Sequence, residues 1–82
     1  MPEPLVRIVE RHGNLPAVII VSGVTYYSIP KTAEFLGTSR WNVRRCMDGG
    51  YFGEIFHLPW SSRKYISAKE IQRIATRTYE QI

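Results

Sequence analysis

The run Arg40-Trp41-Asn42-Val43-Arg44-Arg45 places three guanidinium groups, a carboxamide and an indole close together in the chain. Arginine offers two parallel donors that match O6 and N7 of guanine, and asparagine pairs in the same way with N6 and N7 of adenine. An indole beside them adds apolar contact with sugars or thymine methyls. Such side chains must share one exposed face of a rigid element. With Val43 at zero and ~100° per residue, Trp41 falls near ~160° and Arg45 near ~200° on a helical wheel, opposite the apolar stripe of Val43, Cys46 and Met47. These two are neighbours at i, i+4. Arg44 and Asn42 flank them near ~100° and ~260°, and Arg40, in the first turn, lies closer to the packed side. The competing reading is a basic surface helix with Trp41 tucked against a neighbouring element.

The flanking sequence supplies the elements that would hold this face. Ser28 can cap a first helix, and Pro30 is tolerated in its first turn, where a missing amide proton costs little. Ile29, Ala33 and Leu36 recur on one helical face, and Gly37 stops the helix. Ser39 caps the second helix two residues on. Residues 28–47 are therefore predicted as two short helices joined by a tight turn. Asp48-Gly49-Gly50 breaks the chain. Residues 54–58 and 64–66 then read as strands, with 59–63 as the loop between them. Helix, turn, helix and hairpin make a winged helix-turn-helix. Its wing would project Ser62, Arg63 and Lys64 towards the phosphate backbone or minor groove. Arg63 and Lys64 could equally keep a hairpin end polar against aggregation. Trp60 is expected to pack under the hairpin.

Ser67-Ala68-Lys69-Glu70 has the form of a capping box that opens a last helix over 67–82. Ile71, Ile74, Ala75 and Thr78 would face inward, with Ile82 further along. Lys69, Arg73 and Arg77 repeat at intervals of four on another face, open either to phosphate contact or to solvent alone. The N-terminal segment, residues 1–26, is less legible. Residues 5–9 suit a strand or one side of a short helix. Residues 17–21 are a short β-branched run that favours a strand, and Ser22-Gly23 separates it from 24–27 as in a hairpin. This extension carries no evident chemistry and would complete the core or offer a protein-contact surface.

Eighty-two residues fit one small α+β domain. A hydrophobic share of 44% with 22% charged residues excludes a disordered tail. The net charge of +4 is uneven. Arg7, Arg11 and Lys31 balance Glu3, Glu10 and Glu34, whereas residues 38–77 carry eight basic against three acidic side chains. The excess begins at the second helix, as an electrostatic footprint on phosphate requires. No apolar run approaches the ~20 residues of a membrane span, and no secretory signal is visible. Cys46 is the only cysteine and falls on the apolar face, so a small buried hydrophobe is favoured over a reactive thiol. These features point to the cytosol. His12 and His57 are the only histidines, and no spacing suits zinc or another metal. The carboxylates form no recognisable catalytic motif. Catalysis is not expected, nor is a cofactor.

Residues 27–71 resemble the excisionase-type, MerR-like winged-helix DNA-binding domain. The resemblance is carried by Ala33-Glu34-Phe35-Leu36-Gly37, Thr38-Ser39, Val43-Arg44-Arg45, Gly49-Gly50, Arg63-Lys64-Tyr65 and Ile66-Ser67, which follow the family's order and spacing. Two positions depart from it: Lys31 and Thr32 stand where the family often has Glu, and Trp41 replaces a small residue. The residues before 27 lie outside it. The resemblance implies DNA contacts from Ser39, Arg40, Trp41, Asn42, Arg44 and Arg45 in the major groove and from Ser62, Arg63 and Lys64 in the wing. A full MerR-type regulator continues into a long dimerising helix and an effector site, whereas this sequence stops at Ile82, soon after the last capping motif. That favours a small excisionase, or recombination directionality factor, of a phage or mobile element. Such a protein acts without an effector in the bacterial host cytoplasm. It binds double-stranded attachment-site DNA beside other copies of itself, bends it and steers an integrase towards excision. Two alternatives remain: a small phage repressor or activator built on the same domain, and a protein-interaction module.

Overall fold

Strand and helix meet at a single serine twice in this chain. The computed structural model describes residues 5–80, the last five by backbone alone. Three strands, β1 (Val6–His12), β2 (Leu15–Val21) and β3 (Val24–Ser28), lead directly into α1 (Ile29–Leu36). The second helix, α2 (Arg40–Asp48), precedes β4 (Ile55–His57) and β5 (Lys64–Ser67), and β5 runs into α3 (Ala68–Glu80). Ser28 ends β3 and caps α1, its hydroxyl accepting from the Lys31 amide. Gly37 takes the left-handed conformation at φ +69° and sends its N–H back to α1 carbonyls. Ser39 then accepts from the Asn42 amide and opens α2.

Ser67 behaves differently from the predicted capping box. Its hydroxyl accepts from the Lys69 amide at 3.3 Å, but its own amide already donates to the Glu54 carbonyl at 3.2 Å. Glu70 therefore has no capping amide to reach back to. Its carboxylate accepts instead from Arg73 and from the Gly53 amide.

The strands form one antiparallel sheet in the order β1-β2-β3-β5-β4. The 54–66 hairpin and the N-terminal strands, read separately in sequence, are thus joined where Tyr27 pairs with Ile66 and Ser28 with Tyr65. Of residues 5–9, Val6 onward belong to strand β1, not to a helix. Ser22 and Gly23 turn β2 into β3 with φ of +52° and +80°, the pair of positive values that matches strand twist in a two-residue hairpin. Register shifts on either side of Glu10 bulge β1 at the sheet's outer edge.

Alternation along the strands gives the sheet two apolar faces. Tyr27, Ile55 and Ile66 pack with Ala33, Val43, Met47 and Ile71 of the three helices. On the other face Ile19, Val21, Tyr26 and Tyr65 pack with Leu58, from the loop between β4 and β5. Ile66 and Ile71 are fully buried, and truncating either to alanine is worth about 2–5 kcal/mol. Among the described residues the result is a small α+β fold with three helices and a five-stranded antiparallel sheet. Among the described residues, no helix is long and apolar enough to cross a membrane. Arg77, Thr78 and Ile82, assigned from sequence to two faces of the last helix, lie outside the described side chains.

Candidate nucleic-acid interface

The second helix is a ridge between two depressions, and its polar residues divide between them. On one side lies a cleft of about 810 Å³. Arg40, Arg44 and Asp48 of α2 form one wall, and Ser62, Arg63 and Lys64 form the facing wall. Four cations thus confront a single carboxylate. Arg40, expected nearer the packed side, is exposed and shares the cleft with Arg44, one turn on, since this flank of α2 borders an open cleft and not a packed neighbour.

The loop is closed by hydrogen bonds between near neighbours in sequence. The Leu58 amide donates to the Arg63 carbonyl, and the Ser61 amide to the Leu58 carbonyl. Ser61 Oγ accepts from the Arg63 amide at 3.2 Å. Buried Leu58 anchors the loop, and Arg63, Ser62 and Lys64 are left exposed. Trp60 does not pack under the hairpin as expected. It is 61% exposed, because Leu58 has already filled the available apolar space.

On the other side of α2 is a smaller groove of about 440 Å³, bordered by Thr38, Asn42, Arg45 and Tyr51 over a floor that includes Cys46 and Phe52. Asn42 Nδ2 donates to Thr38 Oγ1 at 2.9 Å, so this amide is already tied to the interhelical turn. Ser39 is likewise occupied as a cap. Cys46 is half-buried against the core, as its apolar position predicts.

Between the depressions, at the crest of α2, Trp41 is 63% exposed and carries the Arg45 guanidinium over its ring at 4.7 Å. It is not tucked against another element. The wheel therefore places the crest correctly, and the pairing of Trp41 with Arg45 is the geometry expected of i, i+4 neighbours.

The basic residues of α3 do not form a uniform ridge. Lys69 is exposed. Arg73 is committed: it donates to Glu70 Oε2 through Nε and Nη2, at 3.0 and 2.6 Å, and through Nη2 to the Tyr51 carbonyl at 2.9 Å. It fastens α3 to the loop after α2. The Arg73 hydrogen bonds also hold the Glu70 carboxyl below its usual range, helped by the Gly53 amide and opposed by burial.

Sequence reasoning missed the third wall of the cleft. His12, Leu15 and Pro16, around the β1–β2 turn, line it beside Arg63 and Lys64. Tyr65 Oη donates to the Pro16 carbonyl at 2.7 Å and pins that turn to β5. Burial raises the Tyr65 pKa above the ordinary phenol value, with Arg63 opposing. Gly13-Asn14 between two apolar runs signals a hairpin, but nothing local says where its tip comes to rest. Among the described residues, no group of His, Cys, Asp or Glu is placed to hold a metal ion. Comparisons with protein families, with curated proteins and with solved structures find no match to this chain.

Proposed function

We propose that this chain is a winged helix-turn-helix protein that binds double-stranded DNA, of the excisionase type. In this reading α1, its turn and α2 are the helix-turn-helix, and β4, β5 and their loop are the wing. The observation that carries it is the shared cleft: Arg40 and Arg44 of α2 line one depression of about 810 Å³ together with Arg63 and Lys64 of the hairpin, a cluster of cations suited to phosphate. Backbone contacts of this kind fix register and orientation, while base edges supply specificity. The crest of α2, with Trp41 and Arg45, would then enter the major groove.

One helix and one wing make a small footprint, near the ~600–1,000 Å² that single modules bury on DNA. Useful affinity would come from several copies on adjacent sites, supported by contacts between them. Bending the attachment region and directing an integrase towards excision follow as the role of such an array. Mobility shifts on tiled duplexes at two salt concentrations test the proposal. A ladder of cooperative complexes that weakens with salt is expected. A single compact complex would favour a repressor or activator instead. Absence of salt-sensitive binding would overturn the DNA reading and favour a protein-interaction module.

A further inference from the structure

The β1–β2 turn lies before residue 27, outside the resemblance to the excisionase-type domain, yet it forms part of the basic cleft. His12 and Leu15 pair directly across the turn at the end of the hairpin. Both are exposed, and both line the cleft with Arg63 and Lys64. The position is fixed by the Tyr65–Pro16 hydrogen bond, which links residues far apart in sequence. Tyr65 is almost fully buried and stands next to Lys64, so the turn and the wing are held as one body.

Resting on the DNA reading above, we infer that the β1–β2 turn is a third DNA-contacting element, which grips the phosphodiester strand running between α2 and the wing. His12 would donate to a phosphate oxygen. Leu15, 40% exposed at the cleft rim, would lie against the adjoining deoxyribose. A partly apolar, partly donor surface suits a sugar–phosphate chain, which alternates the same two characters. Asp48 is the one carboxylate on the opposite wall, and the cations Arg40, Arg44, Arg63 and Lys64 outnumber it. The turn contributes no base contact, so its effect is independent of sequence.

The test uses the full chain and a fluorescein-labelled duplex of mixed sequence, read by anisotropy from about 50 to about 200 mM salt. H12E should weaken binding at least about threefold at the low-salt end by placing a carboxylate against the phosphate. H12R should tighten binding and steepen the salt dependence by up to about one unit of log–log slope. R63A serves as the reference for the wing. If R63A weakens binding while H12E and H12R both match the unmodified protein, the third contact is overturned and the DNA reading stands. If the unmodified protein shows no salt-sensitive binding, the failure lies with the DNA reading itself. The His12 side chain is exposed at a strand end, and unchanged thermal melting of both variants confirms that folding is intact.

Discussion

The guanidinium of Arg45 rests 4.7 Å from the centre of the Trp41 ring, one turn along α2 and at its exposed crest. The indole thereby limits where Arg45 can point, and under the proposed function less side-chain freedom would be lost on meeting DNA. An exposed pair of this type is worth only about 0.5–1 kcal/mol to the fold. Trp41→Ala should therefore shift the melting temperature little. It should nevertheless reduce discrimination between duplexes selected from a random pool and their scrambled counterparts. Arg45→Ala should do the same, and a selection repeated with each variant measures both.

Among the described residues lining the cleft Asp48 is the one carboxylate, and it sits at the C-terminal end of a helix, where negative charge is unfavourable. Asp48→Asn should bind duplex DNA more tightly at low salt and lose this gain as salt rises. It should also melt at the same temperature as the unmodified protein or higher. Anisotropy titrations and calorimetry check the two halves.

Arg73 joins Glu70 to the Tyr51 carbonyl. Arg73→Gln should destabilise the fold by about 1 kcal/mol at neutral pH, since the ion pair is half open to water. The Glu70 carboxyl titrates below its ordinary value in the folded state. Its contribution is therefore complete above the unfolded carboxylate pKa and disappears as pH falls through the lower, folded value. Urea melts in neutral buffer and in acid buffers below the ordinary carboxylate range should show the gap between the variant and the unmodified protein closing only in the latter.

Tyr65 and Tyr26 present the opposite case. Burial raises both phenol pKa values, with Glu54 adding to the effect at Tyr26. A raised folded pKa favours the native state below the unfolded phenol value of about 10, and that advantage is lost as pH climbs beyond it. Tyr65→Phe should cost about 1 kcal/mol at neutral pH, through loss of the bond to Pro16. It should also make alkaline unfolding less steep, leaving the part that Tyr26 supplies. Chemical denaturation followed to high pH measures this.

The Thr32 hydroxyl is fully buried and finds no hydrogen-bond partner among the described residues. Thr32→Val keeps the shape and removes an unsatisfied polar atom. The substitution should raise stability by up to about 1 kcal/mol, visible as a higher melting temperature with unaltered DNA binding.

Features decided by neighbours in sequence were readable in advance. Ser28, Gly37 and Ser39 mark helix ends because capping involves residues only a few positions away. The Trp41–Arg45 crest followed from helical periodicity. Features decided by distant partners were not readable. Ser67 and Glu70 have the spacing of a capping box, but the Glu54 carbonyl and Arg73 claim their polar groups first. Trp60 was expected inside the hairpin, a place that Leu58 takes. His12 carries no motif at all. Its position in the cleft depends on β3 pairing with β5 and on a hydrogen bond from Tyr65. Long-range strand register leaves no local trace in composition or periodicity.

The bulge in β1 has a consequence for crowded molecules. An outer strand with a continuous row of free amides and carbonyls invites a neighbour to add another strand. In β1 the shifts around Glu10 interrupt that row, and Arg7, Glu10 and Arg11 surround it with charge. At the opposite edge, β4 is only three residues long. Both margins of the sheet are thus poor templates, so molecules concentrated side by side can remain discrete and reversible instead of growing into fibrils.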